Sequence, residues 1–272
     1  MRLSTLIVRK LSIDLKQGFA RHWFGGDAFR SQLFNATSMT FPQGEQFFID
    51  SVRDALPLIE SPELREQVRG FIGQEATHRH LHAQYNAELE RQGLHYVLQR
   101  WIAWRIRQSS KVSLASRLAV TAAFEHYTAL FAQVTLNGRL GLERADALPR
   151  LLWSWHSAEE LEHRAVAFDV YRAIGGGALR RVAWFAYVSL LFTIDLTVQT
   201  THNLYRDGQL LRWRTWAGAL SYYVGRRGLA WVLVPHVLAY FSPRFHPLRH
   251  GDDGLATAWF TQYRDRYSEL KA

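Results

Sequence analysis

The tetrad Glu-x-x-His occurs twice in the 272 residues, as Glu75-Ala76-Thr77-His78 and as Glu160-Leu161-Glu162-His163. Residues three apart on a helix share a face, so each tetrad can bring one carboxylate and one imidazole to a common point. One such tetrad arises readily by chance, whereas two on separate helices are a far stronger signal. Each is preceded by a solitary acid in apolar surroundings: Glu45 in Phe41-Pro42-Gln43-Gly44-Glu45-Gln46-Phe47-Phe48, and Glu125 in Ala122-Ala123-Phe124-Glu125-His126-Tyr127. Burying an unpaired carboxylate costs several kcal/mol, so Glu125 needs a proton, a cationic partner or a metal. An arginine from elsewhere is the alternative partner for Glu125, and Glu45 could instead be an acid complementing a helix N-terminus. Taken in order, Glu, Glu-x-x-His, Glu, Glu-x-x-His supplies the ligands of a two-metal carboxylate centre held between helices. Four carboxylates offset the four positive charges of two divalent ions. Oxygen donors with two imidazoles suit iron, manganese or a mixed pair better than copper.

Two further histidines lie on the same stripes. His82 follows His78 by four residues and His156 precedes Glu160 by four, so both project to the site's side of their helices. Each is either a further nitrogen ligand, a partner that orients a carboxylate, or an ordinary core or surface histidine. His80 and His126 point elsewhere on helical geometry. Glu159 adjoins Glu160, but only Glu160 has the spacing to His163. Asp169 reads as an outer-face charge or a supporting residue.

The elements that must carry these residues read as helices throughout. Thr40-Phe41-Pro42 opens one to about Glu60. Ser61-Pro62-Glu63 gives the next an N-cap, a first-turn proline and a first-turn acid, and this helix runs through Leu89. A third spans Ser113 to Asn137-Gly138, and a fourth runs from Asp146 to Gly175-Gly176-Gly177. No alternating strand pattern appears. The expected architecture is therefore all-α: a lead-in over 1–39, a di-metal four-helix bundle over 40–177, and an aromatic, basic helical extension over 178–272.

Three segments carry a family likeness: Phe41 to Phe48, Gly73-Gln74-Glu75-Ala76-Thr77-His78-Arg79-His80-Leu81-His82, and Trp155 to Tyr171. In them the chain resembles the ferritin-like di-iron carboxylate superfamily and, more closely, the bacterial family of predicted metal-dependent hydrolases. The likeness runs from about His22 to beyond Phe241, and six ligand positions agree in order. It implies a ferritin-like bundle with Glu45, Glu75, His78, Glu125, Glu160 and His163 as ligands to two metal ions, iron first. Ferritin-like N-oxygenases recruit an extra histidine, which gives His82 and His156 a precedent. The activity so implied is O₂ activation to oxidise an apolar or lipid-like substrate, with an electron donor as partner. The alternative is a binuclear hydrolase of an ester or phosphoester.

Composition narrows the rest. There is no cysteine, which excludes disulfides, thiolate zinc sites and cysteine nucleophiles. The net charge is +9, yet only Lys10, Lys16, Lys111 and Lys271 are lysines, and the arginines form no nucleic-acid recognition motif. No nucleic-acid partner is expected. The apolar stretch Leu3 to Val8 is too short for a secretory signal and is broken by Arg9-Lys10, which points to the cytoplasm. The runs Val182 to Ile194 and Leu229 to Phe241 fall short of a spanning helix and read as core or interfacial helices, flanked by Arg180-Arg181 and Arg226-Arg227. The extension, rich in Trp and Tyr, is expected either to dock on the inner leaflet, to cover a channel for an apolar substrate, or simply to cap the bundle.

Overall fold

A computed structural model of the chain describes residues 6–226 and 228–270; the start of the Leu3 to Val8 stretch, Arg227 and Lys271 lie outside the described residues. The fold is all-α, as the sequence predicts. Helix α1 (Ala28–Ala55) packs along α2 (Pro62–Arg91), and α4 (Leu114–Leu136) packs along α5 (Ala147–His163). These two pairs meet as a four-helix bundle. Between them α3 (Gln99–Gln108) crosses beside α1, and α6 (Val166–Ala173) lies against α2 and α4. Helix α7 (Ala178–Arg206) flanks α1 and α4, α8 (Trp213–Val224) lies on α1 and touches α9 (Leu229–Ala239), and α10 (Asp253–Gln262) packs on α5.

Local signals account for several boundaries. Ser61 accepts a hydrogen bond from the Leu64 N–H, and Pro62 takes the first turn, where a missing N–H costs nothing. Ser113 caps α4 in the same way, and Gly138 beyond its end has φ +76°. Helix α1 is a correction: it starts at Ala28 under an Asp27 cap, so the expected boundary between 39 and 40 falls inside it. Pro42 sits mid-helix and leaves the Ser38 carbonyl without its helical donor. The Asn86 side chain of α2 donates to that carbonyl at 3.0 Å, which is why the helix continues. The expected fourth helix is likewise divided, ending at His163 and resuming at Val166. Two three-residue strands also escape the sequence pattern. β1 (Arg9–Leu11) pairs antiparallel with β2 (Tyr267–Glu269).

Two hydrophobic clusters fill the interior. One gathers Trp23, Phe34, Tyr85, Trp153 and Trp155; the other gathers Phe48, Val52, Phe71, Val166 and Phe185. Each fully buried apolar side chain contributes about 1.5–3 kcal/mol, which offsets the cost of a polar cluster held where the two meet. Trp155 of the first meets the His78 ring edge-on at 5.0 Å, and Phe71 of the second meets His163 at 4.9 Å.

Candidate metal centre

All eight residues singled out as ligands are buried, with at most 4% of their surface exposed. Helix α1 supplies Glu45, α2 supplies Glu75, His78 and His82, α4 supplies Glu125, and α5 supplies His156, Glu160 and His163. Ligating atoms of Glu75, His78, Glu160 and His163 all lie within 4.8 Å of one another, and those of Glu45, His82 and His156 form a second such group. Glu160 joins the two: its Oε1 is 3.1 Å from His156 Nε2, 3.6 Å from His78 Nδ1 and 3.8 Å from His163 Nε2. Glu125 stands outside both groups, its Oε2 on His163 Nδ1 at 3.0 Å. Glu45 lies deep within α1, so it does not serve a helix N-terminus.

His78 and His163 each have one nitrogen engaged and the other turned to the carboxylates. His78 Nε2 meets Glu159 Oε2 at 3.0 Å, leaving Nδ1 toward Glu75 and Glu160. His163 Nδ1 meets Glu125, leaving Nε2 3.4 Å from Glu75 Oε1. A carboxylate on one nitrogen fixes the tautomer and aims the other lone pair. His82 Nδ1 meets Ser38 Oγ at 2.8 Å, and its Nε2 lies 3.2 Å from His156 Nδ1. Phe41, one residue before the mid-helix proline, stacks on His156 with centroids 4.9 Å apart.

The orphaned atoms decide what the cluster is for. Both oxygens of Glu45 and of Glu75, one each of Glu125 and Glu160, His78 Nδ1 and His163 Nε2 are buried without a hydrogen-bond partner. Buried polar groups are nearly always satisfied, so this many in one place marks donor atoms arranged for a cation. Burial pushes Glu45 and Glu75 well above the ordinary carboxylate range, and neighbouring acids add to the shift. Burial likewise raises Glu125, to about 7, against the opposing pull of His163. Burial also works to raise Glu160, but His163 and His156 overcome it and hold its carboxyl low. His163 shows the converse: burial disfavours its charge, yet Glu160 and Glu125 lift it to about 9. Protons thus stand in for cations in the metal-free cluster.

The family of predicted metal-dependent hydrolases matches residues 7–251. The chain belongs to that family. Nothing among curated proteins or solved structures matches it. For this predicted metal-dependent hydrolase, the two buried groups are able to hold a pair of metal ions, and the orphaned lone pairs fit that use.

Beyond the residues found by spacing, the structure adds a support. Glu159 is fully buried between His78 and Arg9, whose Nη1 lies 3.3 Å from Glu159 Oε1 and 2.6 Å from Glu162 Oε2. Gln74 also donates to Glu162, at 3.0 Å. Arg9 gets there because Gly70 and Gly73 let Leu6 and Val8 lie on α2, where a Cβ at either glycine would collide with them. The glycines were a legible hint of close approach, but no local signal names the segment that approaches. Asp169 is not part of the centre, since it pairs with His246 at 2.9 Å.

Proposed function

We propose that this chain is a binuclear hydrolase that cleaves an ester or phosphoester of an apolar, lipid-like substrate. The observation that carries the reading is a cavity of about 970 Å³ whose wall includes Glu45, His156 and Glu160. The rest of that wall is largely apolar, with Phe41, Phe47, Phe124, Phe131 and Phe192 among it. A cavity of this size takes a long acyl or isoprenoid chain and excludes water from around it. Two divalent ions supply Lewis-acid polarisation of a carbonyl or phosphoryl oxygen and activation of water.

In this reading Glu75, Glu160, His78 and His163 would hold one ion and Glu45, His82 and His156 the other, with Glu160 lying next to both groups. Glu125 and the Arg9–Glu159 pair hold His163 and His78 in the tautomers that present a lone pair. Having four imidazoles beside three carboxylates brings the donor set closer to hydrolytic centres than two imidazoles would. Iron, manganese or a mixed pair suit the carboxylates, and imidazole also accommodates zinc.

A second reading is oxygen activation at two iron ions, with O₂ and an electron donor as partners. It is favoured by the four buried carboxylates, which tolerate changes of iron valence. Assays of the metal-loaded protein without oxygen separate the two. Metal-dependent cleavage of p-nitrophenyl esters or phosphodiesters, improving with chain length, is the expected result. No anaerobic turnover, with oxygen consumed by the ferrous protein, would overturn the hydrolase reading.

A further inference from the structure

Helix α7 carries much of its apolar surface on the outside. Its inward face mixes apolar Phe185, Val188 and Leu204 with partnered polar residues: Asp195 pairs with Arg105 of α3, Gln199 accepts from the Val97 N–H and donates to the His95 carbonyl, and Arg181 donates to the Tyr240 and Ser242 carbonyls. Its outward residues are apolar and recur at helical spacing as Tyr187, Leu190, Ile194, Val198 and Tyr205, with Leu190 61% exposed and Ile194 47%. A helix facing water carries the opposite pattern. Among the described residues α7 is the one helix long and apolar enough to cross a membrane. Yet its inner face is committed to α1 and α4, which leaves half of its circumference for another medium.

The neighbouring helices extend the same character. Trp213 of α8 and Trp231 of α9 are 73% and 62% exposed, and on α3 the exposed Trp101 and Trp104 stack on each other at 4.8 Å. Exposed apolar side chains gathered on helices that border one cavity mark an interaction site. Its charge says what kind. Helices α3, α8 and α9 contain no Asp or Glu, and the sole acid of α7 is the buried, paired Asp195. Exposed arginines lie on or beside these helices, among them Arg100, Arg107, Arg206, Arg212, Arg214 and Arg226. A second copy of the chain would set arginine against arginine, whereas an anionic lipid surface complements them. Tyr187, Trp216, Leu220 and Tyr223 are both exposed here and part of the cavity wall, so the cavity reaches this face.

We propose that α3 and the outer faces of α7, α8 and α9 dock the protein on one leaflet of an anionic phospholipid bilayer, immersed without spanning it. Apolar side chains enter the acyl boundary while arginines hold the headgroups. The docking does not depend on the reaction assigned above.

Flotation of the full chain with phosphatidylcholine vesicles, with and without phosphatidylglycerol, tests this. Binding is expected to the anionic vesicles, weakened by salt. The double variant Leu190→Glu/Ile194→Glu should reduce it by about tenfold or more, with the circular-dichroism melt and metal content unchanged. If that variant fails to fold, Trp101→Ala/Trp104→Ala, on exposed side chains, serves in its place with the same expected direction. Absence of binding by the unaltered protein would overturn the proposal. So would equal binding to both kinds of vesicle, binding indifferent to the folded variant, or a stable dimer that the variant dissociates.

Discussion

Helices α5 and α7 both turn polar side chains inward, but the two interiors differ in how those side chains are satisfied. On α7, Asp195, Gln199 and Arg181 each meet a named partner. On α5, Glu160 and His163 face Glu75 and Glu45 with buried polar atoms that meet no hydrogen-bond partner. A buried polar group with its partners in place is part of the scaffold, and removing one partner destabilises the fold. A cluster of buried groups without partners is held in place by the apolar walls around it and contributes little until a cation arrives. The contrast separates site from scaffold on hydrogen bonding alone, even though all these residues are equally hidden from water.

The largest effect should come from the unpartnered set. Glu160→Ala and Glu75→Ala should each cost at least one metal ion per chain, measured by elemental analysis, and lower activity by more than the roughly 100-fold typical of losing an outer partner. Two ions retained in either variant would break the contrast at its centre. Glu125→Ala should follow the same direction.

Next comes Glu159→Gln, which should weaken metal affinity by about 10–100-fold without unfolding the chain, because it disturbs the hold on His78 rather than a ligand. An affinity unchanged in a metal titration would reduce the Arg9–Glu159 contact to ordinary structure.

The matched pair Asp195→Ala and Glu45→Gln sharpens the comparison. Asp195→Ala should destabilise the fold by up to about 3 kcal/mol and leave metal content intact. Glu45→Gln should lose metal while the melting temperature of the metal-free protein holds or rises. Thermal melts with and without chelator check both, and the reverse assignment would refute the distinction.

Acidity gives a smaller effect with a defined sign. In the metal-free protein Glu125, at about 7, and His163, at about 9, hold protons above their ordinary values. The stability they lend is complete at low pH and fades as pH rises through those values. A divalent ion needs both groups free of those protons, so its binding tightens over the same interval. His78 and His82, which burial holds well below the usual imidazole value, oppose this only below about pH 6.5. From about pH 6.5 to 9 the metal-induced gain in melting temperature should therefore grow. A flat gain would place the ion away from Glu125 and His163. Smallest of all, Leu190→Ser on the outer face of α7 should change stability in water by no more than about 0.5 kcal/mol.

Legibility in the sequence followed the range of the interactions. The tetrads, Ser61-Pro62-Glu63 and the flanking His82 and His156 are local patterns, and helical spacing alone brings them to one side. Pro42 resembles a helix opening, so the sequence alone starts α1 too late; Asn86, on another helix, makes a proline tolerable there. Arg9 and Glu159 stand 150 residues apart, and nothing near either one announces the other. For α7 the amount of apolar surface could be read, but not its direction, since the inward face is set by partners such as Arg105 and His95.

The strand pair beside the centre bears on the order in which the molecule is made. Arg9 reaches Glu159 and Glu162 from β1, which pairs with β2, and its guanidinium lies 3.7 Å from the centre of the Phe260 ring. At about 5–20 residues per second, a ribosome finishes Tyr267 roughly 10–50 s after Arg9. Helices α2 and α5 are thus available while the clamp on His78 still lacks its far half. The emerging chain can gather its candidate ligands early, but their final alignment waits for the segment that carries Phe260 and Tyr267.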